Sequence, residues 1–396
     1  MSNERPVQAV TPPAEPPTAA TRRRFIAATA AAGGAAVVGG LAAGQPALAA
    51  DAAPGSRATT AAGGSKDDRN AKKEKKMRIV AVEEAFSIPG AIRQEAAIRE
   101  RTDVPEAIKR EWYRRLDDRT ELRLADMDAN GVDMRVLSYA TPGLEVIEDP
   151  AEVVAVARRV NDYLAKVVAD HPKRFAGFAV LPLQDPKAAV VELRRAVKEL
   201  GLKGVLFNDH VQGHYLDEPQ FRPVWAELER LGVPLYLHPA AIPVDNWRVF
   251  NGYPALVGPS WGWTAMVGAH ALRLIYGGVF DQFPGASLML GHMGELLPFQ
   301  MARLDSRYSQ VPVERRVKHL PSYYLRKNVY VTTSGVMSHA ALLGAVHAVG
   351  VDRVLFAIDY PFESSAEAVG FLRSAPHAPA DLGRIAHGNA ERILGL

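Results

Sequence analysis

Four apolar runs in this chain stop at side chains that can hold a metal ion or move a proton. Val80-Ala81-Val82 runs into Glu83-Glu84, Tyr236-Leu237 into His238-Pro239, Leu290-Gly291 into His292-Met293-Gly294-Glu295, and Ala357-Ile358 into Asp359-Tyr360-Pro361. A solvated loop needs no such abrupt change, and a packed core does not tolerate these groups unpaired. Singly, each has a plainer reading: a hydrogen-bonded structural histidine, an aspartate capping a helix, a solvated glutamate pair. Brought together, two carboxylates and two imidazoles would bind a divalent cation. The chain has no cysteine, so thiol nucleophiles, iron–sulfur clusters, Cys zinc sites and disulfides are excluded. Any metal must be held by histidines and carboxylates.

The elements that would position these groups can be read from period and length. Short apolar, mostly β-branched or aromatic runs occur at Arg78–Val82, Met134–Ser138, Phe175–Leu181, Gly204–Phe207, Pro234–Leu237, Ser287–Leu290, Val329–Thr333 and Arg353–Ile358. They read as buried parallel strands. Between them lie helical periodicities at Ala151–Ala169, Lys187–Leu200, Gln220–Leu231, Ala265–Val279, Glu295–Asp305 and His339–Val349. Asp185-Pro186 and Glu218-Pro219 supply helix starts. Eight β-then-α units over residues 77–396 predict an α/β fold, a (β/α)8 TIM barrel with insertions. A doubly wound open sheet is the alternative. In a barrel the C-terminal strand ends form one cup, and strands one, five, six and eight would aim their polar residues into it.

The 396 residues are 48% hydrophobic and 23% charged, with a net charge of +3, which excludes a wholly disordered or collagen-like chain. That balance argues against a nucleic-acid partner. No Gly-x-Gly-x-x-Gly follows the first strand and no Walker-type lysine is present, which argues against a nucleotide cofactor. Residues 1–49 carry Arg22-Arg23-Arg24 before a soft Ala/Gly/Val run that closes at Ala47-Leu48-Ala49. The segment resembles a Tat-type signal peptide. It implies the Tat export machinery as a partner and a periplasmic or extracellular location. A membrane anchor or a chance arginine cluster is the competing reading. Residues 50–76, almost without apolar content, read as a disordered linker.

The chain also resembles the amidohydrolase superfamily, in its amidohydrolase 2 or ACMSD-related decarboxylase branch, and most of all the γ-resorcylate and 5-carboxyvanillate decarboxylases. The resemblance rests on Val82-Glu83-Glu84-Ala85-Phe86, on Arg123-Leu124-Ala125-Asp126-Met127-Asp128-Ala129-Asn130-Gly131-Val132-Asp133, on the four strand ends above, and on the terminal Gly388-Asn389-Ala390-Glu391-Arg392 stretch. It implies a carboxy-lyase with one divalent metal, Mn2+ or Zn2+, held by Glu83, His238 and Asp359, with His292 as a further ligand or as partner of Asp359. Many relatives carry a histidine two residues after the first-strand glutamate; here Ala85 stands in its place. The resemblance further implies a dimer or tetramer and a hydroxylated benzoate-type substrate chelated through its carboxylate and ortho-hydroxyl. Asp359 would protonate the ring carbon, and His292, backed by Glu295, would orient it and relay its proton. An aspartate in that role must be kept protonated by desolvation or by a nearby anionic substrate, against the pull of the metal.

Arg123 resembles an arginine that contacts the substrate carboxylate; a helix-surface ion pair with Glu121 or Asp126 is its plainer reading. Phe86, Phe207 and Phe362, with Trp263, could wall an aromatic pocket or could be ordinary core. Asn208-Asp209-His210 follows strand four and reads as a turn or as a pocket contact. Two other functions compete. One is a metal-dependent hydrolase of a lactone, ester or amide, which Glu83-x-Ala85 in place of His-x-His argues against. The other is a binding protein on a catalytically dead barrel, which predicts no bound metal.

Overall fold

Inward and outward side chains alternate along eight short parallel strands, and this alternation builds the molecule. The computed structural model describes residues 77–88, 97–98, 101, 103–118, 120–240 and 248–396. The expected signal and linker, 1–49 and 50–76, lie outside the described residues. The strands are β1 (Val80–Phe86), β2 (Met134–Tyr139), β3 (Phe175–Gly177), β4 (Val205–Asn208), β5 (Leu235–His238), β6 (Leu288–Leu290), β7 (Val329–Thr332) and β8 (Val354–Leu355). Each pairs in parallel with its sequence neighbours in two ladders, β1-β2-β3 and β4-β5-β6-β7-β8. The ladders join at both seams through bridges Ala179↔Val205 and Glu84↔Tyr360. Ala179 N donates to Gly204 O at 2.8 Å and Ala85 N to Tyr360 O at 2.7 Å. The ring is therefore closed, and the (β/α)8 barrel expected from the sequence is the fold.

Inward positions form one cluster: Val80, Val82, Met134, Val136, Ala176, Phe178, Leu206, Tyr236, Met289, Tyr330, Leu355 and Ala357, closed below by Ala390 and Leu394. Outward positions such as Ala81, Leu137, Phe175, Val205, Leu237, Leu290, Val331 and Phe356 pack beneath the helices as the larger cluster. The helix starts follow their capping chemistry. Asp149 and Asp185 each precede a proline and accept two backbone N–H groups, fixing Pro150–Asp170 and Pro186–Lys198. Two further helices precede β2, Glu106–Leu116 and Glu121–Asn130; the first was not among the expected helical stretches, and the second is the helix on which Arg123, Glu121 and Asp126 were read.

Strand β1 departs from the expected stop at Val82. It runs on to Phe86 and carries a register irregularity between Ala81 and Glu84. Such a bulge flips the parity of the side chains. Val80 and Val82 face inward before it; Glu83 and Ala85 face the cup after it, and Glu84 and Phe86 turn outward.

Candidate active site

The four strand-end groups meet. Glu83, His238, His292 and Asp359 line one cavity of about 350 Å³ at the C-terminal mouth of the barrel. Parity accounts for three of them. His238 follows inward Tyr236, Asp359 follows inward Ala357, and Glu83 arrives through the bulge. His292 is turned in by the backbone: His292, Met293, Gly294, Glu295 and Leu296 all have positive φ. Four of the five are not glycine, so the run is held against its local preference.

Glu83 is buried, with its two oxygens in different settings. Oε2 accepts hydrogen bonds from the Tyr236 hydroxyl and, at 3.1 Å, from Thr332 Oγ1. Oε1 is buried with no hydrogen-bond partner and faces His292 Nε2 at 3.6 Å and His238 Nε2 at 3.8 Å. Glycine fits closely at 291, where a Cβ would lie 3.0 Å from both Glu83 oxygens and 3.1 Å from the Tyr236 hydroxyl and would press on all three. Burial pushes the Glu83 carboxyl up to about 7, with Asp359 adding to the rise and His292 opposing it.

Both imidazoles are held from behind. His238 Nδ1 donates to Asn208 Oδ1 and to Pro239 O, each at 2.9 Å, leaving the Nε2 lone pair toward the cavity. Asn208 Nδ2 in turn donates to buried Glu145 at 3.3 Å. Burial drives His238 down to about 4, the neutral, ligand-competent state. His292 Nδ1 lies 2.7 Å from Glu295 Oε1, and its Nε2 lies 3.7 Å from Asp359 Oδ2. Burial works against its charge, but Glu295, Glu83 and Asp359 outweigh that and hold the imidazolium well above the usual histidine range.

These groups fit a divalent ion in kind: an orphaned carboxylate oxygen, the free His238 ring nitrogen and a second carboxylate line one cavity, with the charged His292 ring beside them. Ligand atoms about 2.1 Å from one ion sit about 3.0–3.4 Å apart at angles of about 90–109°. The gaps of 3.6–3.8 Å are wider by a few tenths of an ångström. Among the described residues, no group of three is already drawn in to ligand spacing.

The other expected site residues separate. Phe362 lines the cavity with Trp112 and Trp263, and its ring meets the Trp112 edge at 5.2 Å. Phe207 does not. Inward Leu206 leaves it on the outward parity, in the layer beneath the helices. Phe86 is outward as well, packed on Tyr139 and Tyr163. Arg123 is fully buried outside the cavity lining; it donates to Ala85 O at 2.7 Å and covers the Tyr360 ring. Among the described residues, the arginine that lines the cavity is Arg101, which is bonded to Asp103 through two nitrogens at 2.7 Å. Glu84 also leaves the cup and pairs outside the barrel with Arg135 at 2.9 Å. Asn208 serves the site through His238, and Asp209 pairs with the buried His270 at 3.0 Å. Tyr236, Thr332 and Glu145 went unread in the sequence; only inward parity could have singled out the first two.

Residues 95–396 match the amidohydrolase family. The γ-resorcylate decarboxylase of Rhizobium sp. (strain MTP-10005) is 40% identical over 326 residues, covering 80% of this chain and 98% of that protein. A crystal structure of 2,6-dihydroxybenzoate decarboxylase complexed with 2,6-dihydroxybenzoate superposes with a TM-score of 0.77 at 39% identity, covering 81% of this chain and 100% of the other. The 5-carboxyvanillate decarboxylase of Novosphingobium aromaticivorans, solved with manganese and 4-hydroxy-3-methoxy-5-nitrobenzoic acid, gives a TM-score of 0.76 at 34% identity, covering 82% and 97%.

Proposed function

This chain belongs to the amidohydrolase family, and from that premise we propose that it is a divalent-metal-dependent, non-oxidative decarboxylase of a hydroxylated aromatic carboxylic acid. The observation that carries the reading is the orphaned Glu83 Oε1 facing both His238 Nε2 and His292 Nε2, at the base of a cavity walled by Trp112, Trp263 and Phe362. Acids and imidazoles at the base suit a polar ortho-hydroxy acid, and flat rings on the walls suit its aromatic body.

Glu83, His238 and Asp359 would hold a divalent ion, which would supply Lewis acidity toward the substrate's carboxylate and ortho-hydroxyl. Asp359 delivers a proton to the ring carbon that bears the carboxylate, and a ring electron pair forms the new C–H bond. The C–C bond then breaks, its electrons restore the aromatic ring, and CO2 leaves. His292 stands 3.7 Å from Asp359 Oδ2 and returns the spent proton, with Glu295 fixing its ring from the other side. Phe362, Trp112 and Trp263 orient the ring and exclude water.

Mn2+ is the expected ion and Zn2+ the second choice; the oxygen-rich donor set and the manganese in the Novosphingobium relative support that order. We extend the proposal to residues 1–49 as a twin-arginine signal that sends the protein to the periplasm or beyond, and to a homodimer or homotetramer. Fractionation of cells carrying an Arg22→Lys, Arg23→Lys pair tests the first, and light scattering the second.

The test of function is CO2 release from 2,6-dihydroxybenzoate and 5-carboxyvanillate by the metal-loaded protein, beside acid release from a lactone panel. Release of CO2 that is lost in Asp359→Asn supports the reading. A loaded protein that leaves every ortho-hydroxy aromatic acid untouched ends it, and lactone opening would favour the hydrolase.

A further inference from the structure

Asp359 sits in the left-handed region at φ +79°, a conformation that a non-glycine residue keeps only when its neighbours impose it. Its two neighbours along the chain are tied to strand β1. On one side, Ile358 N donates to Glu84 Oε1 at 3.1 Å. On the other, Tyr360 O accepts from Ala85 N at 2.7 Å. Both ties end on β1 just past the bulge, one on the outward Glu84 side chain and the other on the backbone of Ala85, whose side chain lines the cavity.

What holds Glu84 is Arg135. It projects from β2 into the layer beneath the helices and is fully buried. Its Nε is 2.9 Å from Glu84 Oε2, a close ionic contact between two groups with no solvent exposure. Its Nη2 reaches Asp126 at 2.6 Å and donates to Ser365 Oγ at 2.8 Å. Its guanidinium lies 4.1 Å from the centre of the Tyr360 ring, and that of Arg123 lies 4.6 Å from it. One side chain thus touches the Glu84 that fixes Ile358 and the ring that follows Asp359.

We infer that Arg135 is a positioning residue for the reaction, acting through Glu84 and Tyr360 to hold the Asp359 carboxyl over the substrate. A buried ion pair outside the cavity does little for net stability, because the desolvation of two charges offsets their attraction. Its value is in fixing geometry: aligned cation–ring contacts and a charged clip leave Asp359 one orientation. The same arrangement replaces the substrate-binding role expected of Arg123, whose guanidinium is part of this stack. In kinetic terms the inference rests on the decarboxylase reading; in structural terms it does not.

The experiment compares Arg135→Met, Arg135→Lys, Tyr360→Leu and Tyr360→Phe with the wild type. Steady-state kinetics and crystal structures of the metal-loaded proteins are the readouts. Misplacing a reacting group by about 1 Å costs about 10²-fold, so Arg135→Met and Tyr360→Leu are expected to lose about that much kcat with KM within about twofold. Tyr360→Phe keeps the ring and drops only a hydroxyl that has no partner, so it is expected to stay within about threefold of wild type. Arg135→Lys is expected to fall between, since an ammonium cannot make the same planar contacts. In the crystals, Asp359 is expected to leave its left-handed φ in Arg135→Met and to keep it in Tyr360→Phe. Wild-type kcat in Arg135→Met, a KM that rises in step with the fall in kcat, or equal effects of Tyr360→Leu and Tyr360→Phe would overturn the inference. If Arg135→Met does not fold, the Tyr360 pair decides. If the wild type turns over no substrate, the functional reading fails, and an Asp359 unmoved in the crystals separately ends the positioning claim.

Discussion

His292 Nδ1 and Glu295 Oε1 lie 2.7 Å apart across a backbone turn in which every residue from one to the other is left-handed. Glu295 is buried, and its second oxygen has no hydrogen-bond partner, so its contribution is concentrated on His292. That carboxylate is the largest force holding the imidazolium charged. With Glu295→Gln, the histidine titration is expected to move down toward its ordinary range and kcat to fall about 10–100-fold. Proton NMR of the His292 ring across pH reads the first, and turnover the second. An unchanged titration midpoint would show that Glu295 does not govern this ring.

Gly291→Ala tests how closely Glu83 is held. The added Cβ would meet both carboxylate oxygens at 3.0 Å, so Glu83, held by Tyr236 on one side and open to the cavity on the other, would have to shift by a few tenths of an ångström. A loss of about 1–3 kcal/mol in stability is expected, together with at least tenfold weaker Mn2+ binding by calorimetry. Wild-type affinity in a folded Gly291→Ala protein would mean that Glu83 is not a ligand.

Stability without metal is expected to fall as pH rises. Burial raises Glu83, Glu84 and Glu145 from 4.5 to about 7, so folding takes up protons there. Each contribution is fully present below about pH 4.5 and lost as pH rises through about 7. His292, also raised, acts in the same sense above its unfolded value of 6.5. His238, lowered from 6.5 to about 4, acts in the opposite sense: its contribution is present above 6.5 and lost as pH falls through about 4. The metal-free Tm should therefore be lower at about pH 8 than at about pH 5. A divalent ion displaces the protons at its ligands, so its stabilisation should be larger at about pH 8. Scanning calorimetry with and without EDTA reads both; equal metal stabilisation at the two pH values would contradict the assignment of Glu83 as a ligand.

Phe207, which left the cavity, and Phe362, which lines it, separate packing from recognition. Phe207→Leu is expected to cost about 1 kcal/mol of stability and to leave KM within about twofold, because its ring lies beneath the helices. Phe362→Ala, which opens the cavity wall, is expected to raise KM at least fivefold with a smaller change in kcat. A KM shift of that size in Phe207→Leu would put its ring back in the cavity.

The strands and the cup were legible because burial on both faces leaves continuous apolar runs, and because a strand of period two carries its polar end residue on a fixed side. His238 after Tyr236 and Asp359 after Ala357 follow from that parity alone. Phe207, expected as pocket wall or ordinary core, falls outward by the same parity, since its neighbour Leu206 faces in. The bulge in β1 was not. Nothing in Val80-Ala81-Val82-Glu83-Glu84 says which glutamate turns inward, because the bulge is set by pairing to β2 rather than by local preference. Arg123 and Arg135 were illegible for a related reason: a charge buried outside the barrel is revealed only by the carboxylate, ring and hydroxyl that three other elements bring to it.

The two seams that close the ring bear on how this chain behaves when crowded. A sheet joined end to end offers no unpaired row of amides to a neighbouring molecule, which removes the usual template for strand-to-strand aggregation. Adhesion between copies must then go through exposed apolar side chains, among them Val249, Tyr253 and Trp261 in the stretch that follows β5, and Val191 and Val313 elsewhere. Clumping at high concentration would thus be reduced by making such positions polar, with no change to any strand.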